Sequence, residues 1–273
     1  MNDATRSALR ELGFDDKDWQ ESQYCPGVFE TTIAGGEGAI AKWSALRDQY
    51  GETGYWPILR GETLRSETPS IMNAPSPPPI DVAQVLVRVP RGTVTELIDA
   101  AREKEREALE AYLRSTGGDP SFLDSDPDHP VDDDDIPWPN EPVRDAPLAF
   151  TGVFDILTNK PLKKCGLSLL PAKHPAHAPA HLGFGGWNEV PPDEVLVAIL
   201  MEWHRRFGAV PAVITTDVME FAVDRPPQTE QESMALAHEQ YKVCGDIVDQ
   251  GVESVRKLGI MLWRSPTWYF WWD

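Results

Sequence analysis

The chain ends in Trp268-Tyr269-Phe270-Trp271-Trp272-Asp273, in which five consecutive aromatic residues precede an aspartate. An aromatic side chain can bury roughly 150–250 Å². The stretch would therefore promote aggregation as an exposed tail, whereas it would anchor a core as a strand. Alternate residues of a strand point to opposite faces, and this stretch is apolar on both. We predict that it forms a strand inside a β-sheet, covered by helices.

Two predicted helices lie close to this strand in the sequence. The segment 193–207 has the most regular helical periodicity of the chain, with five large apolar residues on one side: Val195, Ile199, Leu200, Trp203 and Phe207. A second helix is predicted over about 251–264, and Pro266 ends it. We expect both helices to pack against the aromatic strand.

Strands and helices alternate in both halves of the chain. Residues 28–59 predict a strand, a helix that contains Trp43, and a second strand. Thr93 and Glu96 form a capping-box pattern that begins a helix reaching about Arg114. Further strands are predicted at Val82–Val89, Leu148–Leu157 and Gly166–Leu170, and Val213–Val223 is predicted as one bent strand or two short ones. The pattern predicts an α/β fold, with α+β as the alternative, in which helices pack on a mixed β-sheet.

The net charge of −19 is unevenly distributed. Residues 124–145 hold nine acidic residues against one arginine. They lie in a Pro- and Asp-rich region, 117–147, which we interpret as an irregular loop or linker between an N-terminal α/β region, 1–116, and a C-terminal one, 148–273. The sequence leaves open whether this loop binds cations and whether the two regions share one sheet.

The charge and the cysteines bear on partners and compartment. Strong negative charge argues against nucleic acid and anionic membranes as partners, and it favours a basic protein. The first residues lack the layout of a signal peptide, and no apolar run is long enough to span a bilayer. Cys25, Cys165 and Cys244 form neither a disulfide framework nor a metal-binding pattern. We therefore expect a cytoplasmic protein with no cofactor; the oligomeric state is left open.

A distinctive motif occurs at Leu182-Gly183-Phe184-Gly185-Gly186-Trp187-Asn188-Glu189, and it is followed by Trp203-His204, by Asp246–Gly251 and by the aromatic end. With these residues the chain resembles an uncharacterised bacterial family, domain of unknown function 4253. The resemblance covers about residues 165–273, with a weaker likeness at about 28–61. It implies no catalytic residue, because the family has no assigned reaction. The family pattern has a cysteine where this chain has Val190, so any activity that needs that cysteine together with Cys244 should be missing here.

Two loops supply the candidate site residues. The segment 246–251 joins two predicted helices and places two carboxylates and an amide near Cys244. Asn188 and Glu189 are expected to converge on it, with Asp246 or Asp249 acting as a general base or ligand. The candidate binding cluster consists of Trp187, Asn188, Glu189, His204, Cys244, Asp246, Asp249, Gln250 and Asp273. The competing interpretation, which we prefer, is that Asp249 and Gln250 cap helix ends and satisfy buried backbone groups.

Three further patterns have a chemical interpretation that we do not adopt. Cys244 lacks a histidine at helical spacing, so a buried inert thiol is favoured over a nucleophile. His174, His177 and His181 are spaced like zinc ligands, but the intervening prolines predict an extended loop. The glycines at 36 and 38 fit a dinucleotide fingerprint, but the preceding strand alternates and Glu37 would repel a pyrophosphate. We assign no catalytic or metal-binding residue.

These observations favour a binding or accessory protein that acts through protein–protein interaction, as a regulatory or toxin-neutralising factor. The alternative is a small-molecule-binding enzyme with a polar site between the 185–189 and 244–251 loops. The two hypotheses differ in geometry, because the enzyme requires the polar side chains to converge on a concave pocket.

Overall fold

The computed structural model describes residues 1, 3–62, 80–117, 119, 135–143 and 149–273. Most of the predicted acidic loop, including six of its aspartates and Arg144-Asp145, lies outside the described residues. The described chain forms a seven-stranded mixed sheet with helices packed on it, and this confirms the α/β prediction. The strands are β1 (Gln20–Glu21), β2 (Phe29–Ile33), β3 (Trp56–Leu59), β4 (Cys165–Leu170), β5 (Ala209–Ile214), β6 (Val218–Val223) and β7 (Thr267–Trp271).

One helix precedes β1, and the others lie between later strands in the chain. Two of the bounds match the predictions closely: α5 begins with the predicted Thr93–Glu96 capping box, and α7 has its predicted ends. The helices are α1 (Asp3–Glu11), α2 (Glu37–Asp48), α3 (Tyr50–Thr53), α4 (Val82–Val87), α5 (Val94–Thr116), α6 (Ala178–Leu182), α7 (Asp193–Phe207), α8 (Glu230–Val243) and α9 (Val255–Leu262), with a short π-helix at Ile247–Val252.

One sheet contains strands from both halves of the chain. Its order is β1-β2-β4-β3-β5-β6-β7, so β4 of the C-terminal half lies between β2 and β3 and runs antiparallel to both. The link to β5 is made by β3, which pairs with it in parallel through Leu59 and Val213. The N-terminal strands therefore complete the sheet of the C-terminal half.

The aromatic strand β7 lies at an edge of the sheet, which corrects the prediction of an interior position. It pairs with β6 alone among the described strands. Its apolar character has two other causes. Phe270 stacks on Trp203 of α7 with ring centroids 5.4 Å apart, and the Cys244 thiol donates a hydrogen bond of 3.0 Å to the Trp271 carbonyl on the open edge. The segment after α8 thus covers the edge that a neighbouring strand would otherwise occupy.

Two predicted strands are wrong. Val82–Val87 is helix α4, where the Asp81 side chain accepts from the Gln84 N–H as an N-cap and Val85 packs on α7. A short apolar run has no periodicity that distinguishes a strand from a buried helix. The described part of 148–157 contains a 3₁₀ turn, Thr151–Val153, because the Thr151 and Gly152 N–H groups donate to the buried Glu220 carboxylate.

The glycine turn before α2 serves packing. The Gly35 and Gly36 N–H groups donate to the Leu162 and Val153 carbonyls at 2.8 and 2.9 Å. A Cβ on Gly36 would lie 2.8 Å from the Pro161 side chain. The space and the N–H groups that a pyrophosphate would require are therefore used within the protein.

Candidate functional site

The loop between α6 and α7 brings Asn188 to the end of β7. Asn188 adopts a left-handed backbone conformation with φ of 47°, which asparagine tolerates better than most residues. Gly185 is required nearby, because a Cβ there would lie 2.5 Å from the Pro191 carbonyl oxygen. This tight loop positions the Asn188 side-chain amide to donate to the Asp273 backbone carbonyl. The last strand and the 185–189 motif are thus joined directly.

Asp246, which immediately precedes the π-helix, contacts Asp273 from the other side. The Asp273 N–H donates to Asp246 Oδ2 at 2.9 Å, and Gln250 Nε2 donates to Asp246 Oδ1 at 2.9 Å. We name Asn188, Asp246, Gln250 and Asp273 the junction cluster. Its hydrogen bonds run from one member to the next, so the side chains of Asn188, Asp246 and Gln250 already have partners within the protein, and Asp273 is held through its backbone.

Cys244 lies under the junction cluster and is 1% exposed. Burial raises the pKa of its thiol to about 12, and the carboxylates of Asp246 and Glu189 add to the rise. A reactive cysteine needs a lowered pKa and access to solvent, because the thiolate is the nucleophile. Cys244 has neither property, so the predicted inert thiol is what the geometry supports.

Two further carboxylates approach Gly245. A Cβ at Gly245 would lie 3.3 Å from Asp249 Oδ2 and 3.8 Å from Glu189 Oε2. The Tyr241 hydroxyl donates to Asp249 Oδ1 at 3.2 Å. Burial, together with the charges of Asp249 and Glu189, raises the pKa of Tyr241. The tyrosine therefore stays protonated and acts as a hydrogen-bond donor.

Trp187 and His204 complete the predicted cluster, and their positions differ. Trp187 is half-buried and contacts Phe184, which in turn packs on Trp272 of the aromatic end. His204 lies in a separate cleft with His174, whose ring centroid is 4.7 Å away. The structure therefore brings eight of the nine predicted residues to one region and leaves His204 elsewhere.

A cleft of about 350 Å³ opens beside the junction cluster. Asn188 and Glu189 line one side, and helix α5 lines the other. The α5 side was missed by the sequence reasoning and comprises Ile98, Ala101, Arg102, Lys104, Glu105 and Ala108. The sequence does contain a signal for this side of the cleft. Apolar residues recur along α5 beyond Ile98, where the buried part of the helix ends. We name this opening the α5 cleft.

Two cations at the α5 cleft are engaged within the protein. Arg102 donates to the Lys242 carbonyl at 2.9 Å, and the Lys242 ammonium pairs with Asp99 at 3.0 Å. Glu105 and Glu189 also line the cleft, and neither forms an ion pair with another described residue. The rim is therefore mixed in charge, with acidic groups left available to a partner.

Within the described ranges, no three His, Cys, Asp or Glu side chains are grouped so that they could hold a metal ion. Nor does any described helix combine the length and the apolar character needed to cross a membrane. The polar groups of the junction cluster stabilise the structure of this region, and the adjoining α5 cleft is the open surface beside it.

Fold and site together define an α/β protein with one mixed sheet and a family-motif loop that joins its last strand to its helices. A family model described as a domain of unknown function (DUF4253) matches residues 166–273, which confirms the resemblance of the C-terminal region. The match begins within β4 and contains the junction cluster but none of α5. Among curated proteins and among solved structures, nothing matches this chain.

Proposed function

We propose that this chain is a cytoplasmic binding protein that recognises another protein at the α5 cleft and along the exposed part of α5. The observation that carries the proposal is the line of apolar residues on α5. Ile98, Ala101, Ala108 and Tyr112 recur at intervals of three, seven and four residues, which place them on one helix face. Ile98 is buried, whereas Tyr112 is 63% exposed.

The exposed end of this line is suited to a partner. Leu109 adjoins Tyr112 on the helix and is 40% exposed. Tyrosine is enriched at the centres of protein interfaces because it offers a large, stiff, amphipathic surface. The face runs from the α5 cleft outward, so a helical or extended segment could lie along α5 and place one side chain in the cleft.

Charge indicates the class of partner. The chain carries a net charge of −19. Among the described residues that line the cleft, the charged side chains outside ion pairs and hydrogen bonds are two acidic ones, Glu105 and Glu189, and one basic one, Lys104. A segment with basic and apolar side chains would be attracted over a distance and would then bury Leu109 and Tyr112. A basic protein segment is therefore the proposed ligand.

The enzyme hypothesis has less support from the site. The side chains of Asn188, Asp246 and Gln250 form hydrogen bonds within the junction cluster, and the thiol beside it is protonated and buried. A general base must reach a substrate proton, and a nucleophile must be activated. Neither role is available to these side chains without breaking the contacts that hold β7.

The test uses the full chain as bait in native lysate at low salt, followed by purification of any captured protein and measurement of its Kd. Leu109→Ser together with Tyr112→Ser should weaken binding at least about tenfold, because interface anchors contribute more than roughly 1 kcal/mol each. Raising the salt concentration should weaken it further, because part of the attraction is between exposed charges.

The matched control is Ile156→Ser together with Leu157→Ser, since these residues are 91% and 92% exposed at a loop tip that lies far along the chain from α5. This pair should leave the Kd unchanged. Equal losses in both double variants, or no captured protein at low salt, would contradict the proposal. Capture of a second copy of the chain through α5 would redirect it to self-association.

A further inference from the structure

A second cleft, of about 730 Å³, contains an unusual group of cationic and imidazole side chains. Its walls are the loop after α4, the turn before α6 and helix α7. We name it the histidine cleft; its polar lining residues are Arg91, His174, His177, Glu202, His204 and Arg205. Of the described residues that line it, Glu202 alone is acidic, and it is held by Arg205 through hydrogen bonds of 2.6 and 2.8 Å.

The charge of this cleft contrasts with that of the chain. Its two arginines and one glutamate leave one positive charge, whereas the whole protein carries −19. The Arg91 side chain forms no ion pair with any residue in the described part of the chain. A cationic opening on an acidic protein is a place where an anion would be attracted and held.

The hydrogen bonds of the histidines fix which ring atoms can donate. His174 Nδ1 accepts from the Ala176 N–H at 3.1 Å, so the proton of the neutral ring is on Nε2, which is therefore a donor. His204 Nδ1 lies 3.3 Å from the Ala209 carbonyl, which can only accept, so Nδ1 carries the proton there.

The packing of the rings favours the neutral form of His174 and His177. The ring centroids of His174 and His204 are 4.7 Å apart, and those of His174 and His177 are 5.7 Å apart. Burial, followed by repulsion from His204 and His177, lowers the pKa of His174 to about 4. Burial and the nearby Lys173 also lower the pKa of His177, and burial and His177 lower that of His181 to about 4.

The same contacts argue against a metal ion. Ligation through His174 Nε2 would require a proton on Nδ1, but Nδ1 already accepts the Ala176 N–H. His177 Nδ1 is buried and has no hydrogen-bond partner among the described residues, so this atom can form a further hydrogen bond. His174 is therefore arranged to donate a hydrogen bond from Nε2 and not to bind a metal ion through it.

We propose that the histidine cleft binds a small oxyanion, a phosphate or a carboxylate group, through Arg91 and His174. The anion accepts from the Arg91 guanidinium and from His174 Nε2–H. This site is distinct from the α5 cleft and does not depend on the function proposed for it.

Calorimetric titration of the full chain with sulfate near pH 7 is the first test, because sulfate is doubly charged there. Binding should saturate at one sulfate per chain and should weaken as sodium chloride is added, because the Arg91 charge is exposed. Inorganic phosphate and acetate, titrated separately, distinguish the two sources of the oxyanion, and tighter binding of either supports the site.

Two variants locate the binding. Arg91→Gln removes an exposed cation, and His174→Asn keeps a side-chain acceptor for the Ala176 N–H while removing the Nε2 donor. Each should weaken sulfate binding at least about fivefold, because a charge-assisted hydrogen bond is lost. Lys160→Gln, a cation on another exposed loop, should have no effect.

Three outcomes would overturn the proposal. The first is no sulfate binding near pH 7, and the second is binding that is insensitive to Arg91→Gln. The third is saturable binding of one zinc ion that His174→Asn abolishes, which would make the cleft a metal site. Retained thermal unfolding of each variant excludes loss of fold as the cause of weaker binding.

Discussion

The junction cluster and the histidine cleft are both groups of polar side chains beside helix α7, but they differ in how their hydrogen bonds are used. In the junction cluster, Asn188, Asp246, Gln250 and Asp273 bond to one another. In the histidine cleft, donors and a cation face open space, and His177 Nδ1 is buried without a partner among the described residues. A sequence motif identified the first group, yet unused hydrogen-bonding capacity marks the second as the better candidate for a ligand.

The largest expected effect comes from removing the aromatic packing that supports both groups. Trp203 of α7 is 1% exposed and contacts Trp268 and Phe270 of β7, while the neighbouring His204 lines the histidine cleft. Trp203→Ala should lower the free energy of unfolding by about 3–5 kcal/mol, because it leaves a large cavity. Urea unfolding followed by circular dichroism measures the loss.

The control for this cavity is Tyr112→Ala on exposed α5, which should change stability by less than about 0.5 kcal/mol. A loss below about 1 kcal/mol in Trp203→Ala would mean that the aromatic packing is not the common support of the two groups.

The next largest effect is expected in the alkylation rate of Cys244, which tests whether the junction cluster excludes reagents from this thiol. With a pKa of about 12 against 9 in an unperturbed thiol, the native thiolate population is very small near pH 8. Alkylation by iodoacetamide should be at least about a hundredfold slower in the native chain than in urea, because only the thiolate reacts. Mass mapping of the modified cysteines follows the reaction, and rapid native labelling of Cys244 would contradict a closed cluster.

Asp246 tests the hydrogen bonds of the cluster directly. Asp246→Ala removes the acceptor of both the Asp273 N–H and the Gln250 amide. The free energy of unfolding should fall by about 1–2 kcal/mol, because two donors lose their partner in a half-buried position. Gln250→Ala, which removes an exposed donor, should cost about half as much or less. Equal effects of the two substitutions would mean that the Asp273 contact contributes nothing.

The smallest effect concerns the histidine cleft and appears in acid. Burial lowers the pKa of His174 to about 4 in the native chain, below the ordinary value of 6.5. The unfolded chain therefore binds the proton first, so the stability present above about pH 6.5 is lost as the pH falls toward 4. His174→Asn should flatten this acid limb in pH-dependent thermal unfolding. His238→Asn, at an exposed position on α8, should leave the limb unchanged.

Local patterns predicted much of the fold. Thr93 and Glu96 marked the beginning of α5, and the periodicity of 193–207 marked both ends of α7. Both patterns act over a few residues of the same helix, so the sequence contains them completely. Val82–Val87 was predicted as a strand because a short apolar run satisfies either structure, and its packing on α7 decides for the helix.

The sequence predicted which residues lie together in the candidate site, but it did not predict what those residues contact. Eight of the nine proposed residues lie in one region, since the loops that carry them flank the same strand end. The sequence could not show that Asn188 and Asp246 bind Asp273 from two sides, because those contacts span 85 and 27 residues. Nor could it show that His204 lies apart from the other eight residues, because that depends on which side of α7 packs against the turn that contains His174.

The sequence by itself determined that this chain forms helices on a mixed sheet and that the aromatic end forms a strand in which Trp268 and Phe270 are buried, because periodicity and apolar area act locally. Only the tertiary structure decided that β4 enters between β2 and β3 and that β7 lies at the sheet edge. Strand order depends on contacts between distant residues, and the apolarity of β7 is explained equally well by a neighbouring strand or by the Cys244 segment that covers its edge. The choice between these two explanations is made by the packing of the whole chain.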